Sequence, residues 1–256
     1  MCTRSEKKNN RRKTVVLLMF GREQRFVVED VVIIVNSVQV SHVGRGIIVS
    51  SGNREQVIRR IINMEDRIAS CQRCGAVTRC IRKPSLGKGD LEPDLIMVLE
   101  SDNQYSRDMN RMIELRNLIK NGLGFERLYH TYMVRCQPKA CTLQSSINCY
   151  STRKLLDKEY RCLLSEKTCE GIPIHPDSNS IIACLPYLME EISILNPNYV
   201  VLFGPRVAEY VLKACGFFDT SEINKCYPYQ GHMFIPTVDE SQFSLLECQQ
   251  IRKHLN

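Results

Sequence analysis

Two cysteines one helical turn apart, Cys71 and Cys74, open the stretch CQRCGAVTRCIRKPSLGKGDLEPDLIMVLE, and the carboxylate of Glu100 closes it. A Cys-x-x-Cys pair offers two soft sulfur ligands to one centre. Cys136 at the end of a later apolar run and Cys184 within a helical pattern complete a set of four. Four thiolates hold either a [4Fe–4S] cluster or a zinc ion, and spacing does not separate the two. Cys80, Cys141, Cys162 and Cys169 compete as ligands. The N-terminal MCTRSEKKNNRRK is basic and lacks the apolar centre of a secretion signal, so the expected location is cytoplasmic. In that reducing compartment the thirteen cysteines do not form a disulfide framework, and those outside a metal site serve as small hydrophobes.

The carboxylates follow a second pattern. Glu100 ends the apolar run DLIMVLE and leads into the polar turn Ser101-Asp102-Asn103. Open α/β sheets bind ligands beyond the carboxyl ends of their strands, which makes Glu100 and Asp102 candidate catalytic groups. Asp239 stands just beyond another apolar run, HMFIP, and is the third. Two anion-binding elements are weaker: Leu86-Gly87-Lys88-Gly89, as a backbone nest that brings Lys88 to a phosphate, and Gly204-Pro205-Arg206, as a helix start. His130, His175 and His232 are candidates by residue type only and stay outside the catalytic set.

These groups need a scaffold, and the chain supplies one by alternation. Apolar runs at 94–100, 128–136, 198–203 and 232–236 read as strands. Helical periodicity marks 54–70, 107–122, 180–196, 205–215 and 242–255, with closure of the second at Gly122 and an interruption of the third near Pro186. Strands separated by helices predict a three-layer α/β/α fold with a mainly parallel, four-stranded central sheet. Before it lie a basic disordered tail (1–13) and a small β-rich extension (14–52) containing TVVLLMF, RFVVEDVVIIVN and RGIIVSS. The main domain spans 53–256 and carries a Cys-rich insertion at about 137–179. No apolar run is long enough to span a bilayer, so no membrane partner is expected. The net charge of +7 suits a polyanion without requiring one, and a monomer is the expected state.

In order and spacing, CQRCGAVTRC, DLIMVLE, NLIKNGLGFERLYHTYMVRCQP and ACLPYLMEEISILNPNYVVLFGPRVAEYVL resemble the uracil-DNA glycosylase superfamily, closest to its iron–sulfur members. The likeness covers roughly 55–255; its most specific parts are the Cys-x-Pro-Tyr-Leu and Leu-Phe-Gly-Pro-Arg segments. It implies that Cys71, Cys74, Cys136 and Cys184 hold a [4Fe–4S] cluster, with zinc as the alternative, and that the partner is DNA. The motifs depart from the family's in four places. Gly-Glu-x-Pro-Gly is Leu99-Glu100-Ser101-Asp102-Asn103. The Asn that reads uracil in a Thr-Asn pair is Tyr132. The Phe stacked on the base has no direct counterpart, and Tyr105 is the substitute. The terminal His-Pro-Ser gives way to Val238-Asp239-Glu240-Ser241.

Those departures point away from uracil. Breaking an N-glycosidic bond passes through a sugar with oxocarbenium character, after the base has been swung out of the helix. Glu100 and Asp102 would orient water or stabilise the cation. A cytosine-type base is a poorer leaving group than uracil and gains from a proton, which Asp239 as a carboxylic acid would donate. Asn103, Tyr105 and Tyr132 would face the base, and Glu100 and Asp239 would wall one pocket. Lys88 and Arg206 would meet phosphates, while Phe243 and Leu245 would wedge into DNA. The expected activity is excision of a non-uracil, modified base, such as a glucosylated hydroxymethylcytosine in viral DNA, leaving an abasic site and serving antiviral defence. The alternatives are an iron–sulfur DNA-binding protein that has lost catalysis and a zinc-stabilised adaptor.

Overall fold

The computed structural model describes the backbone of 16–20, 23–28 and 31–35, and residues 52–74, 84–140, 157, 159, 161–163, 165–167, 172–219 and 221–255. The chain divides into two units, Met1–Val49 and Ser50–Asn256. In the first, β1 (Val16–Phe20), β2 (Glu23–Val28) and β3 (Val31–Val35) form an antiparallel meander. The expected RGIIVSS strand and the basic tail lie outside the described residues.

The second unit begins with α1 (Gly52–Ala69), whose Ile61, Met64 and Ile68 recur at helical spacing and are buried. Then come β4 (Lys88–Gly89), β5 (Leu95–Ser101), α2 (Gln104–Arg107), α3 (Met109–Leu123) and β6 (Leu128–Val134). A small hairpin, β7 (Lys139–Ala140) with β8 (Ile172–Pro173), brackets the insertion. The chain ends with α4 (Ser178–Leu195), β9 (Tyr199–Phe203), α5 (Pro205–Ala214), β10 (Tyr227–Tyr229), β11 (His232–Thr237) and α6 (Leu245–Arg252).

The main sheet runs β10-β11-β9-β5-β6-β4. Its four central strands are parallel, as the alternating pattern requires, and short antiparallel strands flank them on both edges, making six. Leu95 to Leu99 on β5 are fully buried, which explains a continuous apolar run in place of an alternating one. Burial of each such side chain stabilises by about 1.5–3 kcal/mol. Ile96 and Val98 face a core shared with α1, α4 and α5, while Leu95, Met97 and Leu99 face one shared with α3 and α6. Among the described residues no helix is long and apolar enough to cross a membrane.

Two helix boundaries correct the sequence reading. Helix α3 runs through Gly122 and is closed by Gly124, which has φ +83 and is free of neighbours where a Cβ would stand. Gly122 has a different reason: a Cβ there would meet Cys248 Sγ at 2.5 Å, so glycine lets α6 approach closely. Helix α4 continues through Pro186 without a break. The proline lacks the N–H that would bond the Ile182 carbonyl, and Ile182 is 61% exposed, so water can reach that position.

His130 on β6 is buried against Arg116 and Tyr132, with Arg116 Nη1 at 3.4 Å from Nδ1. Arginine can only donate, so Nδ1 accepts and the imidazole is neutral. Burial, with the charges of Arg116 and Lys88, pushes its pKa down to about 4. Between pH 6.5 and 4 the unfolded chain takes up a proton that the folded chain refuses, so stability falls as pH falls through that window. Denaturant titrations should show the native protein losing about 2 kcal/mol more than His130→Gln between pH 7 and 5; equal losses would remove His130 as the cause.

Candidate functional site

The cysteine set is assembled by three elements. Helix α1 ends in a turn in which Cys71 N–H donates to Ile68 O at 3.1 Å, delivering Cys71 and Cys74. Cys136 follows the end of β6, and Cys184 lies on the buried face of α4. All four line one pocket, with Arg135 and Tyr187 in its wall. Among the described residues no three His, Cys, Asp or Glu side chains converge on a single ion. Tetrahedral zinc with bonds near 2.3 Å needs sulfurs about 3.8 Å apart. Cys80, Cys141 and Cys169 lie outside the described residues, and Cys162, though buried, is not part of this wall. Burial pushes the Cys184 thiol pKa up, and the Arg135 backbone N–H, donating to Sγ at 3.3 Å, pulls partly against it. Cys215 and Cys248 are buried thiols in apolar cores, pushed to about 12 and about 11 by that burial.

Sequence reasoning missed the polar knot behind this pocket. Tyr129, Thr131 and Arg135 alternate onto the α4 side, where Glu191 accepts from all three at 2.9, 2.5 and 2.5 Å. The Arg135–Glu191 pair is almost wholly buried, at 2% and 1% side-chain exposure. Arg135 Nη2 is satisfied, but Nε and Nη1 meet no acceptor among the described residues. A buried donor left this way costs about 1–3 kcal/mol. A buried guanidinium with two donor atoms unfilled, on a residue that lines the cysteine pocket, fits an anionic occupant there.

The carboxylates gather at the C-terminal edge of the sheet. Glu100 Oε2 lies 2.5 Å from His175 Nδ1, and Oε1 lies 3.2 Å from Arg206 Nε. That second contact lacks hydrogen-bond geometry, so Oε1 is buried without a donor among the described residues. Arg206, in the first turn of α5, also donates from Nη2 to Pro176 O at 2.7 Å. His175 thus joins the site from the exit of the insertion. The signal was its place just before the N-cap Asp177 of α4, where the chain must return to the sheet.

Asp102 accepts from Ser106 Oγ at 3.0 Å and Arg107 Nε at 3.2 Å. Arg107 also donates from Nη2 to Gln137, the buried neighbour of Cys136. Asn103 caps α2 by accepting from the Ser106 N–H and donates from Nδ2 to Glu240 Oε1 at 2.6 Å, so its amide is already used. Asp239 is exposed and opens onto a cavity of about 560 Å³ that Pro205, Phe217, Phe218 and Gln242 also line. Glu100 is not in that wall; the two carboxylates flank the Gly204–Arg206 turn and do not share one pocket. Tyr105 is half-buried, with the Arg111 guanidinium 5.7 Å from its ring centroid.

Three expected contacts are corrected. Tyr132 is only 4% exposed and packs in the α3–α6 core, so it cannot face a base. Phe243 is 8% exposed, with its ring centroid 5.2 Å from that of Phe203; it anchors the start of α6, and the exposed apolar groups there are Leu245 and Leu246. Lys88 pairs with His130 in the N-terminal half of β6, away from the carboxylates. Its flanking glycines have a packing role: a Cβ at Gly87 would strike the Tyr129 ring, and one at Gly89 the Leu128 carbonyl.

The sequence model of the uracil DNA glycosylase superfamily matches residues 104–247. No curated protein matches the chain.

Gly204 is the pivot of the strand-end site. Its φ of +87 and ψ of 153 belong to a region that side chains avoid, and a Cβ there would lie 2.4 Å from Asp239 Oδ1. Gly204→Ala is expected to lower stability by about 1–3 kcal/mol and to displace Asp239. Thermal unfolding reads the first effect, and an unchanged melting curve would show that the turn relaxes freely.

Proposed function

The chain belongs to the uracil-DNA glycosylase superfamily, whose members bind DNA and remove bases, and from that premise we propose that it excises a modified, non-uracil base and leaves an abasic site. The observation that carries this is Glu100 Oε1, which has no hydrogen-bond donor among the described residues at the sheet's C-terminal edge, where His175 and Arg206 brace the carboxylate. A fixed acceptor of this kind is suited to hold a water against the sugar C1′ of an extruded nucleotide. As the C1′–N bond breaks, its electron pair leaves with the base; the water oxygen bonds C1′ and gives its proton to Glu100. For Asp239 to supply a proton or hydrogen bond to the departing base, the base must extend from Glu100 past the Gly204–Arg206 turn into the cavity that Asp239 lines. Asp102, engaged by Ser106 and Arg107, positions the turn instead of touching substrate.

Three placements support a base other than uracil. Tyr132, standing where the uracil-reading Asn would be, is buried; the Asn103 amide is spent on its cap and Glu240; and Asp239 opens onto a cavity with room for a substituent beyond a pyrimidine ring. The first two also favour a second reading, a DNA-binding relative without catalysis. Arg206, at the start of α5, and Leu245, on the exposed first turn of α6, are the DNA-facing groups.

The same reading places a [4Fe–4S] cluster on Cys71, Cys74, Cys136 and Cys184. When bound, its iron–sulfur bonds tie the end of α1, the end of β6 and the middle of α4 into one body.

Two measurements test this. Duplexes from phages with differently modified bases, followed by alkaline cleavage, should show base release that exceeds release from uracil DNA. Glu100→Gln and Asp239→Asn should each slow it by about 10²–10⁴-fold. Binding without release from every modified duplex would establish the non-catalytic reading, and unchanged release by Asp239→Asn would take that residue out of the chemistry. Iron analysis of the purified chain should find a brown protein whose iron is lost in Cys71→Ser or Cys184→Ser but retained in Cys215→Ser. A colourless zinc protein would replace the cluster with a single ion.

A further inference from the structure

We propose that Arg135 is the charge partner of the group held by the four cysteines: a buried cation that offsets thiolate charge and donates N–H hydrogen bonds to its sulfurs, so raising its reduction potential. This rests on the cluster reading given above.

Three observations converge on it. First, the guanidinium is 2% exposed and cannot shed its charge as a buried lysine would. Glu191 balances that charge yet takes up only Nη2, leaving Nε and Nη1 without acceptors among the described residues. A pair serving packing alone would gain from being replaced by apolar groups, or from having its donors filled by neighbouring carbonyls. Second, Arg135 lines the cysteine pocket and no other described cavity. Third, the same residue's backbone N–H already donates to Cys184 Sγ at 3.3 Å, so Arg135 meets one sulfur of the set directly through its main chain. The potentials of cysteine-ligated iron centres follow net charge and hydrogen bonds to sulfur. A permanent cation with two uncommitted donors acts on both.

Glu191 then has a definite part as a positioning residue. It fixes the guanidinium through a 2.5 Å contact and moderates its charge, while Tyr129 and Thr131 fix Glu191. The two residues should therefore act on the potential with opposite sign.

The test uses the full chain, purified without oxygen, with iron and sulfide content measured before the midpoint potential is taken by mediated titration under visible absorbance. Arg135→Met should lower the potential, Arg135→Lys should lie between it and the native protein, and Glu191→Gln, which keeps one oxygen acceptor, should raise it. Glu191→Gln carries the sign test alone if the methionine variant does not fold. Equal potentials in iron-loaded native and variant proteins would overturn the proposal, as would shifts of the same sign in Arg135→Met and Glu191→Gln. Iron-free native protein would remove the cluster reading itself, and that is seen before any variant is compared.

Discussion

The register of the parallel strands is the constraint on which the rest depends. Leu95 pairs with both Leu128 and Tyr199, and Tyr199 pairs with Met233, so four strands set out from one row. Because the rise per residue is nearly uniform, residues equally far along each strand reach the same level. Glu100, Gly204, Val238 and Met133 therefore share one level at the far edge of the sheet. A slip of one residue in β5 or β6 would turn Glu100 or Arg135 to the opposite face and separate it from its partners. The burial of Leu95 to Leu99 and the apolar pairs on both faces hold the register, so the placement of Glu100 and Arg135 rests on hydrophobic packing several residues away.

The edge created in this way carries two dissimilar environments. One is apolar and sulfur-lined, closed by α1 and α4, with a buried cation in its wall. The other is carboxylate-rich and open, braced by groups from the insertion exit and the start of α5. Burial separates their behaviour. Arg135 keeps a charge that water does not screen, whereas Asp239 faces solvent. The chain's family is one of DNA glycosylases, and the second environment is where the chemistry proposed above would sit.

Much of the fold was legible because apolar periodicity and burial are the same quantity seen twice. DLIMVLE is continuous because its strand is covered on both sides, and α1 alternates because only one face is. The grouping of Cys71, Cys74, Cys136 and Cys184 was legible from a resemblance whose spacing is fixed by three elements. What stayed hidden were meetings between residues far apart in the chain. Nothing local marks Glu191 as the partner of Arg135, or His175 as the neighbour of Glu100. Aromatic side chains misled for a related reason. Tyr132 and Phe243 have the chemistry to stack on a base, but the same rings also fill cores, and here the core took both. The glycines around Lys88 were ambiguous in the same way, since close packing against a strand and cradling of an anion both call for a missing Cβ.

The strut formed by Gln137, Arg107 and Asp102 has a consequence for how this molecule can change over time. Gln137 is chained to Cys136 by a single peptide bond, and Arg107 spans from it to the turn after Glu100. Sulfur pocket and carboxylate turn are therefore not separable modules. A substitution that shifts Arg107 would therefore be felt in both environments at once.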